Sequence, residues 1–333
     1  MSVDSGTGPR PSAPASSRSA SYDAFRHRFG LLLVAATLGL IFAGGLVTST
    51  GSGLAVPDWP LSYGMLMPPM VGGIFYEHGH RMIASAVGFL TLVLALSTAW
   101  REARPGVRRL AWAALGVVIA QGVLGGLTVL FLLPTAVSVA HACLAQTFFC
   151  VVIALAYSTS NEWLAAGEPR ADLAGMRAVA LTTTLAVWLQ LLVGALMRHM
   201  GAGLAIPDFP LAFGHLVPTF TSRAIVVHFA HRVGAVIVVA LIARLYLTAR
   251  RSGDAALVRP ALAACLLALL QVALGAATVL TAKAVTPTTF HVATGAAVLG
   301  TCWFTTLRAW RRYRPAPGTA PVGAPVGGVS SPA

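Results

Sequence analysis

Charged residues and cysteines are scarce in this chain of 333 residues. Only 10% of the residues are charged, whereas 56% are hydrophobic. This composition excludes an ordinary soluble domain and favours a polytopic membrane protein. The 4 cysteines all fall within apolar segments and form neither a CxxC pair nor a Cys/His zinc motif. We therefore expect no structural disulfide and no zinc-finger site.

Eight apolar runs are long enough to cross a bilayer, for which a helix needs about 20 residues. They lie near residues 29–47, 80–100, 110–132, 138–157, 178–197, 226–247, 260–281 and 288–308. The sequence therefore predicts an all-α integral membrane protein with eight transmembrane helices.

Acidic residues are also few, numbering 10 against 23 lysines and arginines, so the net charge is +13. Most of the basic residues fall on one side of the predicted spans, and the positive-inside rule then places both termini in the cytoplasm. Topology alone explains the basic charge, so we predict no nucleic-acid binding. Residues 1–26 and 311–333 are predicted to be disordered cytoplasmic tails, and residues 158–177 a cytoplasmic linker.

The chain contains the same segment twice. Residues 51–64 read GSGLAVPDWPLSYG and residues 201–214 read GAGLAIPDFPLAFG. Gln121 likewise returns as Gln271 in the same register. Because each half has an even number of spans, both halves enter the membrane in the same sense, which predicts a parallel repeat. We expect two four-helix bundles, formed by residues 27–157 and 178–310.

Two histidines recur in each half, His80 and His141 in the first and His231 and His291 in the second. The predicted topology places all four near the outer ends of helices that run in the same direction. Neutral imidazole is a good axial ligand for haem iron, and helical bundles build cofactor sites from inward-facing side chains. Zinc is the competing metal, but it would need a further protein ligand. The pattern favours iron sites; packing or hydrogen bonding is the alternative role for any one histidine.

An arginine directly follows the first histidine of each half, as Arg81 and Arg232. Near the water interface, a guanidinium can bind a carboxylate such as a haem propionate through two hydrogen bonds. The alternative is an interfacial arginine whose side chain extends to water and binds no ligand. In the PDWP and PDFP turns, Asp58 and Asp208 are expected to accept backbone N–H groups and fix the outer loops.

The two halves differ three residues before those histidines. Glu77 precedes His80, whereas His228 precedes His231. A spacing of three places Glu77 on the same helical face as His80, and a carboxylate at the edge of an apolar pocket is a functional-site hypothesis. We predict that the first half does chemistry while the second stores or passes electrons. A cap at the start of the helix is the alternative role for Glu77. The other outer histidines receive no assigned role: His78, His199 and His215.

Together these features resemble the haem A synthase family of bacteria and mitochondria, which makes the haem of cytochrome c oxidases. The resemblance rests on the duplicated eight-span plan, the loop GLAVPDWPLSYG, Glu77-x-x-His80-Arg81, the Gln121-x-x-Leu-Gly-x-x-Thr128-Val run and the three other repeated histidines. It covers roughly residues 28–310. It implies an oxidoreductase that converts the C8 methyl of haem O to the formyl of haem A by successive hydroxylations.

The resemblance also implies sites, partners and a location. A b-type haem cofactor would be held in the C-terminal half by His231 and His291, and haem O would bind in the N-terminal half near His80 and His141. Glu77 is implied to be important to turnover. The implied location is the bacterial inner membrane, with lipid around the spans. A homo-oligomer, a haem O synthase and an electron acceptor stay open as partners.

The chain departs from the family pattern in one respect. Many bacterial members carry a cysteine pair in the outer loops, including within the PDWP turn, but here Val56 and Ser62 stand in that turn. A thiol-based step is therefore not expected. Two rival interpretations stay open. A non-catalytic dihaem b-type cytochrome taking electrons from quinol would share the four histidines but give Glu77 no special role. A transporter built on parallel repeats would place polar residues near the bilayer midplane, where almost none occur.

Overall fold

The computed structural model describes residues 22–172 and 175–315. The predictions for residues 1–21 and 316–333, which belong to the two expected tails, lie outside the described residues. Nine α-helices occur in the described part of the chain, and eight of them are long and apolar enough to cross a membrane. The prediction of an all-α membrane protein with eight spans is confirmed.

The eight long helices contain 24–30 residues each. They are α1 (Ala24–Ser49), α2 (Gly72–Arg101), α3 (Pro105–Leu130), α4 (Thr135–Ser158), α6 (Met176–His199), α7 (Arg223–Ser252), α8 (Ala255–Leu280) and α9 (Val285–Arg312). The short helix α5 (Asn161–Ala165) and two-residue strands β1 (Arg170–Ala171) and β2 (Tyr313–Arg314) complete the described elements, together with one 3₁₀ turn at Ala202–Leu204.

The helices contact one another as two groups of four. In the first group α1 contacts α2 and α4, and α3 contacts α2 and α4; in the second, α6 contacts α7 and α9, and α8 contacts α7 and α9. The groups meet where α1 and α4 pack on α9 and where α4 packs on α6. Two four-helix bundles are consistent with these contacts, and the parallel relation between the halves stays a prediction.

Helices α1 and α9 extend beyond the predicted spans and reach into the ranges assigned to tails. Helix α1 begins at Ala24, because the carboxylate of Asp23 accepts the backbone N–H groups of Phe25 and Arg26. Helix α9 continues to Arg312, and residues 313–314 pair with residues 170–171 as parallel strands. The described structure therefore extends into both ranges assigned to tails, and the linker contains a short helix and a strand.

In each half a buried acid binds two arginines at the connection after the second long helix, α2 or α7. Glu102 accepts hydrogen bonds from Arg26 Nη1 at 3.0 Å and from Arg104 Nε at 2.9 Å. Burial opposes ionisation of this carboxyl, but the hydrogen bonds and positive charge of Arg104, with the charge of Arg26, lower its pKa to about 2. In the second half, Asp254 lies within 3.1 Å of Arg170 and 2.6 Å of Arg312.

Candidate functional site

A cavity of about 1880 Å³ lies among the helices of both halves. It is larger than the roughly 300–1,000 Å³ of an ordinary small-molecule pocket. The sequence-predicted residues that line it are His80, His141, His231, His291, Glu77, Arg81 and Arg232, and the outer-loop residues Trp59 and Phe209 also reach it. The structure thus brings together every residue singled out from the sequence as a candidate site residue.

Each of the four histidines packs its ring against a helix glycine. A Cβ placed on Gly44 would lie 3.1 Å from Cε1 of His80, and one on Gly194 would lie 3.0 Å from Cε1 of His231. The second histidine of each half has the same arrangement, with Gly125 beside His141 and Gly275 beside His291. The glycine backbone therefore leaves room for the imidazole, and these four contacts fix where the rings lie in the cavity.

Glutamines hold both histidines of the second half. Nε2 of Gln190 lies 3.0 Å from Nδ1 of His231 and donates to the His231 carbonyl at 2.7 Å. Nδ1 of His291 lies 3.1 Å from the carbonyl oxygen of Gln271. A histidine that ligates a metal through one ring nitrogen usually has its other nitrogen hydrogen-bonded, because that bond fixes the orientation of the ring.

The first half supports its histidines less completely. Gln121 donates to the His141 carbonyl at 3.0 Å, but Leu40 occupies the position that corresponds to Gln190. Within the described residues, the buried Nδ1 atoms of His80 and His141 have no hydrogen-bond partner. The two first-half imidazoles therefore have fewer polar constraints than their counterparts.

The donor set fits a haem iron better than a zinc ion. The ring centroids of His231 and His291 are 6.4 Å apart, and metal–imidazole bonds are about 2 Å long, so one ion fits between the two nitrogens. In the part of the chain that the structure describes, no group of three or more His, Cys, Asp or Glu side chains could hold a metal. A pair of axial imidazoles suffices for haem, because the porphyrin supplies the other ligands.

Glu77 and His228 make the same contact with the outer loop of their own half. Glu77 Oε2 accepts the backbone N–H of Val56 at 2.8 Å, and His228 Nδ1 accepts that of Ile206 at 3.2 Å. Both side chains are 3% exposed. Helix α2 begins at Gly72, so Glu77 lies beyond its first turn, and the contact at its carboxylate is with the loop.

The two arginines also bind the loops. Arg81 donates to the carbonyl oxygens of Asp58 at 2.7 Å and Leu61 at 2.9 Å, and it forms an ion pair with Glu77 at 2.7 Å. Arg232 donates to the carbonyls of Ile206, Asp208 and Leu211. These contacts differ from the predicted propionate clamp, because the terminal nitrogens of both guanidiniums already bind loop backbone. Propionate binding by either arginine stays a prediction.

The expected role of the loop aspartates is confirmed. Asp58 accepts the backbone N–H groups of Tyr63 and Gly64, and Asp208 accepts those of Phe213 and Gly214, at 2.6–2.8 Å. The hydrogen bonds from the glycine N–H groups, followed by those from the aromatic residues, hold the pKa of both carboxyls below the ordinary value. Each PDWP or PDFP turn is therefore fixed by its own acid.

Several site residues were missed in the sequence. Gly194 and Gln190 have no prominent motif, although counting one repeat on from Gly44 locates the glycine. Arg198 lines the cavity and donates to Gly45 O and Ser49 Oγ at 3.2 Å, which ties the second half to α1. Only the folded structure reveals that bond, because its partners are about 150 residues apart in the chain.

The other outer histidines have separate surroundings. His78 is buried, with Nδ1 at 2.8 Å from Ser62 Oγ. His199 lines the cavity at the end of α6, and its carbonyl accepts a hydrogen bond from Thr135. His215 is exposed in the second outer loop, where its backbone pairs with that of Ala212.

Comparison with known proteins identifies the family of the chain. Residues 71–303 match the family model COX15-CtaA, described as cytochrome oxidase assembly protein. A Shouchella clausii protein named haem A synthase is 32% identical over 77% of this chain and 87% of its own length. A protein named haem A synthase from Halalkalibacterium halodurans is 31% identical over 84% of this chain and 93% of its own length. One from Symbiobacterium thermophilum is 32% identical over 62% of this chain and 70% of its own length.

The family match spans most of both halves and includes all four histidines of the cavity, together with Glu77, Arg81 and Arg232. The chain therefore belongs to the haem A synthase family.

Proposed function

We propose that this protein is a haem A synthase that oxidises the C8 methyl of haem O to a formyl group by successive hydroxylations. The observation that carries the proposal is the matched pair of two-histidine sites in one cavity, within a chain of this family. In this assignment the first half, residues 27–157, binds the substrate, and the second, residues 178–310, holds a resident haem. Both termini lie in the cytoplasm and the outer loops face the opposite side of the bacterial inner membrane.

His231 and His291 would hold a b-type haem as the resident cofactor. Their separation admits one iron, and Gln190 and the Gln271 backbone orient their rings. When bound, this haem supplies one-electron redox chemistry. Arg198 lines the same cavity, so its positive charge would be available to a carboxylate of a bound haem.

His80 and His141 would bind the iron of haem O. Their Nδ1 atoms have no partner within the described residues, so these rings are less firmly oriented than those of the second half. A substrate must leave after each turnover, and weaker support of the imidazoles suits an exchangeable ligand better than a resident one. The difference between the halves therefore supports placing the substrate in the first half.

Glu77 is the residue proposed to act in catalysis. It lines the cavity one turn from His80, is 3% exposed, and keeps an ion pair with Arg81. Its carboxylate would accept a proton or orient water as the methyl group is oxidised. Val56 N–H and Arg81 hold the carboxylate in place, which fixes its direction relative to the substrate site.

The test is co-expression with a haem O synthase, followed by haem extraction and chromatography. Haem A should form only when this chain is present. Glu77→Gln is the informative variant, because its amide oxygen can still accept the Val56 N–H but cannot take up a proton as a carboxylate does. It should keep the resident haem spectrum while haem A formation falls about 10²–10⁴-fold, as for loss of a general base.

Two results would contradict the proposal. Haem A at the wild-type level in Glu77→Gln would remove the proposed catalytic role of that residue. A b-type spectrum with haem O left unconverted by the wild-type chain, under aerobic and reductant-supplied conditions, would favour the dihaem cytochrome alternative.

A further inference from the structure

Four glycines beyond the first turns of α2 and α3 have no packing role that the structure reveals. They are Gly79, Gly88, Gly116 and Gly122, and a Cβ on any of them would meet nothing within 4 Å among the described residues. Glycine inside a helix costs roughly 0.5–1 kcal/mol relative to alanine. At the corresponding positions the second half has larger residues, among them Val239 for Gly88 and Val272 for Gly122.

Two of these glycines lie where the cavity reaches the outside of the bundle. Gly88 on α2 and Gly122 on α3 line the cavity, as do Phe89 and Ile119. Phe89 is 66% exposed and Ile119 is 59% exposed, so the same side chains face both the cavity and the lipid side of the protein. We call this gap, bounded by Gly88, Phe89, Ile119 and Gly122, the α2–α3 opening.

The α2–α3 opening is continuous with the candidate substrate site. Gly122 follows Gln121, the residue that donates to the His141 carbonyl. Gly88 lies eight residues after His80, which places it about 12 Å further along the helix towards the middle of the bilayer. A ligand whose iron is bound by His80 and His141 therefore has an apolar exit below it, where Gly88 and Gly122 leave space beside the side chains of Phe89 and Ile119.

Two buried polar groups on α4 also indicate that the first half accommodates a ligand. Ser138 is 3% exposed and Gln146 is 9% exposed, and both line the cavity. Ser138 Oγ and Gln146 Oε1 have no hydrogen-bond partner in the described ranges 22–172 and 175–315. Burying such an atom costs free energy unless a ligand or a water molecule forms the missing hydrogen bond. Ala296 stands at the second-half position of Gln146.

We propose that the α2–α3 opening receives the isoprenoid tail of the substrate, and that Gly88 and Gly122 make the first half selective for a haem with such a tail. This inference rests on the proposed function, since haem O differs from protohaem by its farnesyl tail. In the second half, Val239 and Val272 line the cavity at these positions, so their side chains narrow the corresponding gap and leave less room for a tail. The apolar surroundings of the opening match a hydrocarbon chain lying partly in lipid.

The test exchanges these glycines for the residues of the second half. Gly88→Val together with Gly122→Val is compared with Gly116→Leu, which introduces the second-half residue at an exposed α3 position outside the cavity lining. Protein that already contains its resident haem is titrated with haem O and with protohaem, followed by optical spectroscopy. The double variant should bind haem O about tenfold or more weakly, which corresponds to 1.4 kcal/mol or more. Protohaem binding and resident haem content should not change, and Gly116→Leu should match the wild type.

Three results would overturn the proposal: equal weakening of both ligands, unchanged haem O binding, or a change in oligomeric state measured by light scattering. The last would assign the glycines to contact with a second copy. If the double variant does not fold, as shown by loss of the resident haem, Gly122→Ala provides the smaller change and should weaken haem O alone. A wild-type chain that prefers haem O to protohaem but makes no haem A would contradict the proposed function and leave the tail site standing.

Discussion

The two halves have the same kinds of residue at the cavity and in the loops beside it, yet surround them differently. Each half has two histidines on glycines, an arginine on the outer loop and an aspartate that fixes the turn. The first half has a carboxylate where the second has an imidazole. It also has Leu40 where the second has Gln190. Duplication explains the shared frame, and the differences indicate where each half has specialised.

Where the outer loops contact the helices, the two halves differ at both partners of a contact, so that a change in one residue is matched by a change in its partner. A Cβ on Gly126 would lie 2.5 Å from the ring of Trp59, so the first half accommodates the larger aromatic beside glycine. The second half has Phe209 and Ala276 at these positions. Likewise the buried Ser62–His78 contact of the first half corresponds to an apolar pair in the second, Ala212 and Phe229, which belong to one cluster. Both loops are thus well packed, so the asymmetry at Glu77 does not come from a poorly formed half.

Removing the histidines of one half at a time should give the largest effect. His231→Ala and His291→Ala should each lose the resident b-type haem, since even loss of an outer partner of a metal ligand costs about 10–100-fold in affinity. His80→Ala and His141→Ala should keep that haem and lose haem A formation. Optical spectra and extracted haems of the purified variants measure both. Retention of the resident haem by His231→Ala, with loss in His80→Ala, would reverse the assignment of the halves.

Replacing Gln190 or Leu40 by the residue at the same position of the other half tests whether the glutamine accounts for the difference between the two histidine pairs. Gln190→Leu removes the group that lies 3.0 Å from Nδ1 of His231, and resident haem affinity should fall about 10–100-fold. Leu40→Gln, made alone, should leave that affinity unchanged and slow release at the first site. Haem transfer to an excess of an apo-globin acceptor measures the first quantity, and product release in single-turnover reactions measures the second. Equal haem retention in Gln190→Leu and wild type would show that this glutamine has no part in the site.

Crowding the histidines one half at a time should have a smaller effect. Gly194→Ala would place a methyl 3.0 Å from His231, and Gly44→Ala one 3.1 Å from His80. Overpacking costs about 1–3 kcal/mol, so resident haem affinity should fall roughly tenfold in the first variant and haem A formation in the second. Gly39→Ala, with nothing within 4 Å of its Cβ, is the matched control on α1. A loss in Gly39→Ala as large as in Gly44→Ala would mean that helix packing, and not the histidine ring, causes it.

The features that could be predicted from the sequence are local or repeated. The eight spans follow from the lengths of apolar runs, and the histidines follow from the repeat. The partners of Arg81 could not be predicted in the same way, because the carbonyls that it binds depend on how a loop of about 20 residues folds back over α2. The ends of α1 and α9 were also missed, since Asp23 and the bond between Arg312 and Asp254 extend helices beyond the apolar runs.

The acid clusters at the helix ends opposite the PDWP and PDFP turns should give the smallest effect, visible only at low pH. The pKa of Glu102 is lowered from 4.5 to about 2 by folding. Its contribution to stability is therefore complete above the unfolded pKa and is lost as the pH falls through the folded pKa. Glu102→Gln should reduce the melting temperature at neutral pH and flatten its decline between these two pKa values. Asp254→Asn is the counterpart in the second half. Circular dichroism melts across this range measure the slopes, and an unchanged acid slope in Glu102→Gln would show that other carboxylates control the acid stability of the first half.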